Sequence, residues 1–291
     1  MNVLEVNNLT KKYGSKIGVK DVSFKVAEGE IFGFIGPNGA GKSTTIRSIL
    51  NLIRPTSGSI QVFGLDSVKD APLIAKNVGY LPSEVFYYDG MRAKDLLNFS
   101  ASFYKKVDKS RINKLADLLE LDLSRKVDDL SYGNKKKLGI IQGLLHSPSL
   151  IILDEPTGGL DPLMQQKFFD LIKDENKNGA TVLFSSHILT EVQRLCDKVA
   201  IIKNGEIIKV DEIETMKKDN YKKISIESET KLNDLISALP GAANVNSIDN
   251  KTDFLFKGDI NSIISMLSSS KIRNLTIEDP NLEEIFMHYY E

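Results

Sequence analysis

Residues 30–50 read EIFGFIGPNGAGKSTTIRSIL. The opening EIFGFIG is dense in apolar, β-branched and aromatic residues, as suits a buried central strand. From Gly36 to Ser43 the chain matches G-x-x-x-x-G-K-[ST]. Ile46, Ile49, Leu50 and Ile53 then recur at helical spacing, so the glycine loop joins a strand to a helix. Glycines let successive backbone N–H groups turn toward one anion, and the helix start adds its partial positive charge. In such a loop a lysine reaches the β- and γ-phosphates of a nucleotide and a serine hydroxyl ligates Mg²⁺. Asn38, Gly39, Ala40, Gly41, Lys42, Ser43 and Thr44 are therefore candidate nucleotide-binding residues.

On the N-terminal side, VLEVNNLTKKYG and KDVSFKVAEGE alternate polar and apolar residues and predict antiparallel strands. SIQVFG predicts another strand beyond the loop helix. From about Pro82 to Ser147 the pattern is mostly helical. SLIILDEP and ATVLFSSH are dense strands, separated by the amphipathic helix DPLMQQKFFDLIKDENKNG. Strands alternating with helices predict a mainly parallel sheet. KVAIIKNGEIIKVD predicts a closing hairpin on its NG turn. After about Asp219 the order becomes β-α-β-β-α-β, and a final helix is expected in PNLEEIFMHYY. The expected fold class is α/β. Residues 1–218 form the core, with an antiparallel β subdomain and a helical subdomain at about 83–148. Residues 219–291 form a small accessory α+β, ferredoxin-like domain.

LIILDEP ends a buried strand on Asp154 and Glu155. Ligands of open α/β sheets bind at that edge, and a carboxylate buried there needs a compensating charge. Mg²⁺ would compensate Asp154, while Glu155 would orient or deprotonate an attacking water. The stretch DLSYGNKKKLGIIQ, Asp129 to Gln142, opens another helix. Ser131 can cap it and Gly133 allows close backbone approach, which makes a second anion-binding helix start. One chain cannot easily bring both helix starts to one phosphate. Two copies facing head to tail can, with two equivalent sites. Lys135, Lys136 and Lys137 read as a solvated helix face.

The 291 residues are 41% hydrophobic and 26% charged, as in a globular protein with a large core. Formal net charge is -1, so no basic excess points to nucleic acid. The lone Cys196 excludes an intramolecular disulfide and fits a reducing compartment. No signal peptide is expected at the N-terminus, and no apolar run approaches the ~20 residues that span a bilayer.

With these motifs in this order, residues 2–215 resemble the ATP-binding subunit of an ABC transporter, which has a P-loop NTPase core. The family's LSGGQ signature stands here as Leu130-Ser131-Tyr132-Gly133-Asn134, departing at Tyr132 and Asn134. The resemblance implies several roles. Ser131, Gly133 and Asn134 would face a nucleotide across a homodimer. Tyr13 in KKYG would stack on adenine. Asp161 in GGLDP would couple the two protomers, and His187 in LFSSH would sense the γ-phosphate beside the catalytic Glu155. Where the family has a Mg²⁺-ligating glutamine that relays to the membrane partner, GYLPSEVF has Ser83, a shorter candidate ligand, with Glu84 next to it. Phe86, Tyr87 and Tyr88 lie where the family forms a groove for a helix of the membrane subunit. The tail resembles C-terminal extensions on ABC-2-type exporters, with Met287, Tyr289 and Tyr290 facing either a contact surface or the tail's own sheet. The resemblance implies ATP and Mg²⁺ as cofactors and a separate ABC-2-type permease as partner. It also implies a place in the cytoplasm, peripheral on the inner face of the cell membrane.

A soluble ABC-type ATPase acting on the ribosome or DNA is the alternative. It fits less well. The interval between the two phosphate motifs is about 110 residues without sustained heptads, and the chain holds one ATPase core. A small-molecule kinase would need neither LSYGN nor GGLDP.

Overall fold

The computed structural model describes residues 1–280 except 88, 89, 106, 219, 220, 231 and 269. The expected helix after Pro280, with Met287, Tyr289 and Tyr290, lies outside the described residues, as does Tyr88. The chain divides into two compact units, Met1–Asp211 and Glu212–Glu291. The sequence reading set a boundary at 218/219. The division falls earlier because the short helix Ile213–Lys218 groups with the second unit.

The first unit opens with β1 (Asn2–Tyr13), β2 (Lys16–Ala27) and β3 (Ile31–Ile35), followed by α1 (Lys42–Ile49). Next come β4 (Ser57–Val62), β5 (Leu65–Asp66), α2 (Ala71–Ala75) and β6 (Val78–Leu81). Helices α3 (Ala93–Ser102), α4 (Lys109–Leu118) and α5 (Tyr132–Leu144) lead to β7 (Leu150–Asp154). Then α6 (Pro162–Lys177), β8 (Thr181–Ser186), α7 (Leu189–Leu195), β9 (Lys198–Lys203) and β10 (Glu206–Glu212) complete it. One sheet runs β2-β1-β4-β5 and is antiparallel. The other runs β10-β9-β3-β8-β7-β6, with β9, β3, β8, β7 and β6 joined in parallel.

Every residue of β3 and β7 is buried, as strands covered on both faces require. In β2 the buried residues Val22, Phe24 and Val26 alternate with exposed ones, so that sheet has one wet face. Phe24 joins the two sheets, with ring centroids 5.4 Å from Phe32 and 5.2 Å from Phe34. Ile46 and Ile49 of α1 enter the same core. The predicted α1 pattern reached Ile53, but the helix stops at Ile49. Asn51 turns to φ 54 and breaks the ladder after the Leu50 cap.

Helix α5 lies hard against β6. A Cβ on Gly79 would stand 2.2 Å from the Gly143 carbonyl, and one on Gly139 would stand 2.9 Å from Leu81. That approach carries the residues near the start of α5 toward the strand ends where β6 and β7 leave the sheet.

The second unit holds α8 (Ile213–Lys218), β11 (Tyr221–Ser228), α9 (Asn233–Ser237), β12 (Ala242–Ile248), β13 (Lys251–Lys257), α10 (Ile260–Leu267) and β14 (Ile272–Glu278). Its sheet runs β12-β13-β11-β14 with antiparallel neighbours, the order of two interleaved βαβ units. Ile224, Ile226, Phe254, Phe256, Ile263 and Leu267 form its core. Among the described residues no helix is long and apolar enough to cross a membrane.

Candidate active site

The glycine loop turns between β3 and α1. Gly41 is the residue before the helix, at φ 109, a conformation that side chains rarely adopt. A Cβ there would lie 2.5 Å from Val19, and one on Gly36 would lie 2.4 Å from the Ile202 carbonyl. Only glycine lets the loop close this tightly. The loop lines a cleft of about 470 Å³. Asn38, Gly39, Gly41, Lys42, Ser43 and Thr44 line it, as do Tyr13 and Glu155. Ala40 is buried and does not line it; its carbonyl accepts the Gly205 N–H at 3.0 Å.

Tyr13 is 48% exposed at the rim, with the Lys11 ammonium 5.2 Å from its ring centroid. Gly18 packs under this ring, since a Cβ there would stand 2.9 Å from Cε2 of Tyr13. Lys16, Ile17 and Gly18 also line the cleft, and none was singled out in the sequence. Their signal was weak: a polar hairpin end beside an aromatic residue.

Lys42 is buried, and its ammonium donates to the carbonyls of Gly36 at 2.7 Å and Pro37 at 3.2 Å. It also pairs with Glu155 Oε1 at 3.1 Å. The other oxygen of Glu155 meets His187 Nδ1 at 3.1 Å. One carboxylate thus bridges the loop lysine and the histidine after β8. Glu155 itself sits at φ 47, a strained conformation for a residue with a side chain. Its N–H donates to the Ser185 carbonyl at 3.1 Å.

Asp154 is fully buried at the end of β7. Its Oδ1 accepts from Ser185 Oγ at 2.6 Å, while the buried Oδ2 has no hydrogen-bond partner among the described residues. A buried carboxylate with one oxygen unmatched fits a hard divalent cation, and Ser43, which lines the cleft as Asp154 does not, supplies an oxygen donor there. Ser83 does not line the cleft. Its carbonyl is tied instead to a lysine, Lys136.

Lys136 overturns the reading of a solvated face. It is 0% exposed, and its ammonium donates to the carbonyls of Pro82 at 2.9 Å, Ser83 at 2.8 Å and Glu155 at 3.2 Å. Burial pulls its pKa down to about 8, against the upward pull of Asp154, Glu155 and Glu84. Three consecutive lysines hide this in the sequence, because only the packing of α5 on β6 selects the middle one.

A second unforeseen tie holds the histidine. Glu191, buried on α7, accepts from Thr157 Oγ1 at 2.6 Å and from Ser186 Oγ at 2.7 Å. Ser186 Oγ in turn accepts the Ile188 N–H at 2.9 Å, so both neighbours of His187 are anchored.

Ser131 is the N-cap of α5, accepting from the Asn134 N–H at 3.4 Å. Ser131, Gly133 and Asn134 do not line the cleft. Gly133 packs against the GGLDP loop, where a Cβ would lie 2.7 Å from the Gly159 carbonyl. The Tyr132 ring covers Gly159, which gives the departure at Tyr132 a packing role. Asp161 caps α6 by accepting the Met164 N–H at 2.9 Å.

On the helical subdomain a separate groove of about 320 Å³ is lined by Phe86, Tyr87, Met91, Leu96, Phe99 and Phe103, among others. Phe86 is 85% exposed, Phe99 57% and Phe103 68%.

Known proteins resemble the chain over most of its length. The family profile described as ABC transporter matches residues 19–158. The bacitracin transport ATP-binding protein BcrA of Bacillus licheniformis is 37% identical over 231 residues, covering 77% of this chain and 74% of its own length. The linearmycin resistance ATP-binding protein LnrL of Bacillus subtilis is 32% identical, covering 98% of this chain and 97% of its own length. A solved ATP-binding subunit of an ABC transporter superposes with TM-score 0.68 at 31% identity, covering 74% of this chain and 92% of that one.

Proposed function

The chain belongs to the ATP-binding proteins of ABC transporters and is an ATPase, and on that footing we propose that it powers a separate ABC-2-type membrane permease in export. The observation that carries this reading is the bridge from Lys42 through Glu155 to His187 at the mouth of a glycine-loop cleft. Tyr13 stacks on adenine, and the N–H groups of residues 38–44 surround the phosphates. Lys42 exchanges Glu155 for the β- and γ-phosphates. Glu155, freed from the ammonium, accepts the proton of the attacking water. His187, beside Glu155, donates one ring N–H to the γ-phosphate, aligning water and phosphorus. Ser43 and Asp154 would hold Mg²⁺, which would supply positive charge to the phosphate oxygens. Ser83, which does not line the cleft, would reach the metal through a bridging water.

Ser131, Gly133 and Asn134 stand outside the cleft of their own chain. They complete the cleft of a second copy, head to tail, so that ATP closes a homodimer and hydrolysis reopens it. Asp161, whose loop packs on Gly133, couples the two sites. The exposed phenylalanines of the helical subdomain receive the permease, which sets the protein on the cytoplasmic face of the membrane. Export is favoured by the transport and resistance roles in the names of BcrA and LnrL. No nucleic acid is involved.

A tagged Glu155→Gln variant, captured from membranes solubilised with ATP and Mg²⁺, tests the reading. A polytopic membrane protein in the captured complex supports it. Ribosomal or DNA-bound proteins in its place overturn it.

A further inference from the structure

The ammonium of Lys136 has three N–H donors, and three carbonyls take them. Two belong to Pro82 and Ser83, where the chain leaves β6 for the helical subdomain. The third belongs to Glu155, whose carboxylate faces Lys42 and His187. We propose that Lys136 is a positioning residue that ties the exit of β6 to Glu155 and holds the Glu155 backbone in the turn that aims its carboxylate into the cleft. The inference rests on Glu155 being the hydrolytic carboxylate.

Glu155 at φ 47 persists only if its surroundings fix it. Ser185 holds its N–H and Lys136 holds its carbonyl, one bond on each side of the strained residue. The lysine is itself fixed, because α5 lies too close to β6 for any larger residue at Gly79. Asp154, Glu155 and Glu84 act on the ammonium through space, and among the described residues no carboxylate pairs with it as a salt bridge. The ammonium therefore acts on backbone position and leaves the Glu155 carboxylate free to meet Lys42 and His187. A movement of the Pro82–Ser83 corner reaches Glu155 through a single side chain.

The test compares steady-state ATP turnover of the purified full chain with that of Lys136→Met, Lys136→Arg, Glu155→Gln and the Lys136→Met/Glu155→Gln pair. Misplacing a catalytic group by ~1 Å costs up to about a hundredfold. Lys136→Met is expected to lower kcat about ten- to hundredfold, with KM for ATP and affinity for a fluorescent ATP analogue within about twofold. Lys136→Arg, which keeps the donors and the charge, should recover most of kcat. In the Glu155→Gln background Lys136→Met should cost nothing further, because its effect passes through Glu155. An unchanged kcat in Lys136→Met, equal loss through KM, or a full additional loss in the double variant overturns the inference. Should Lys136→Met not fold, Lys136→Arg decides: a hundredfold loss of kcat with normal thermal stability contradicts the tie. Retained turnover in Glu155→Gln would sink the hydrolytic reading itself, which is a separate result.

Discussion

Tyr13, Lys42, Glu155 and His187 each do something that a change of one side chain can reveal. Tyr13 offers an open ring face at the cleft rim, backed by Gly18. Stacking of a base on an aromatic ring contributes roughly 1–3 kcal/mol, so Tyr13→Ala should weaken nucleotide binding by about tenfold or more. Tyr13→Phe should bind as the parent does, since stacking would use the ring and not the hydroxyl. Titration with a fluorescent ATP analogue checks both, and equal weakening in the two variants would refute a stacking role. The loop residues were legible in the sequence because their spacing is tied to one backbone shape. Lys16, Ile17 and Gly18 were not, since a hairpin end carries no such spacing. Lys136 was misread because burial of one lysine among three depends on which face of α5 meets β6.

At the scale of elements, the fit of α5 against β6 positions both the signature turn and Lys136. His146, just past the end of α5, fastens that helix to the sheet. One ring nitrogen, Nε2, meets the Val78 carbonyl of β6 at 3.2 Å, and the ring stacks on Tyr104 at 3.9 Å. Nδ1 is buried without a partner among the described residues, so a second proton would be stranded there. Burial holds the imidazole pKa down to about 4. A histidine whose folded value lies below its unfolded value of about 6.5 contributes stability above that pH and loses it as pH falls toward 4. Urea unfolding at a series of pH values should therefore show stability declining below about 6.5, with a shallower decline in His146→Phe. Parallel declines in the two proteins would show that His146 has no part in it. Most strands and helices were readable from periodicity, while β5, β6, α2, α7 and α8, none longer than seven residues, were not. The end of α1 was not, because the apolar pattern continues to Ile53 while the backbone turns left-handed at Asn51.

For the molecule as a whole, the residues assigned to nucleotide chemistry all fall in Met1–Asp211. The interleaved βαβ order of the second unit was legible, because short apolar segments are separated by turns rich in Asn, Asp and Gly. The limit between the units was less so, since α8 follows β10 without a glycine or proline to mark it. The central claim is that one chain's signature turn completes another chain's cleft. The measurement that tests it most directly is the solution mass of Glu155→Gln by light scattering, with ATP and Mg²⁺ and then with ADP. The account predicts a dimer with ATP, a monomer with ADP, and a monomer in both when Ser131→Arg is added. A monomer with ATP, or a dimer that Ser131→Arg leaves intact, would contradict it.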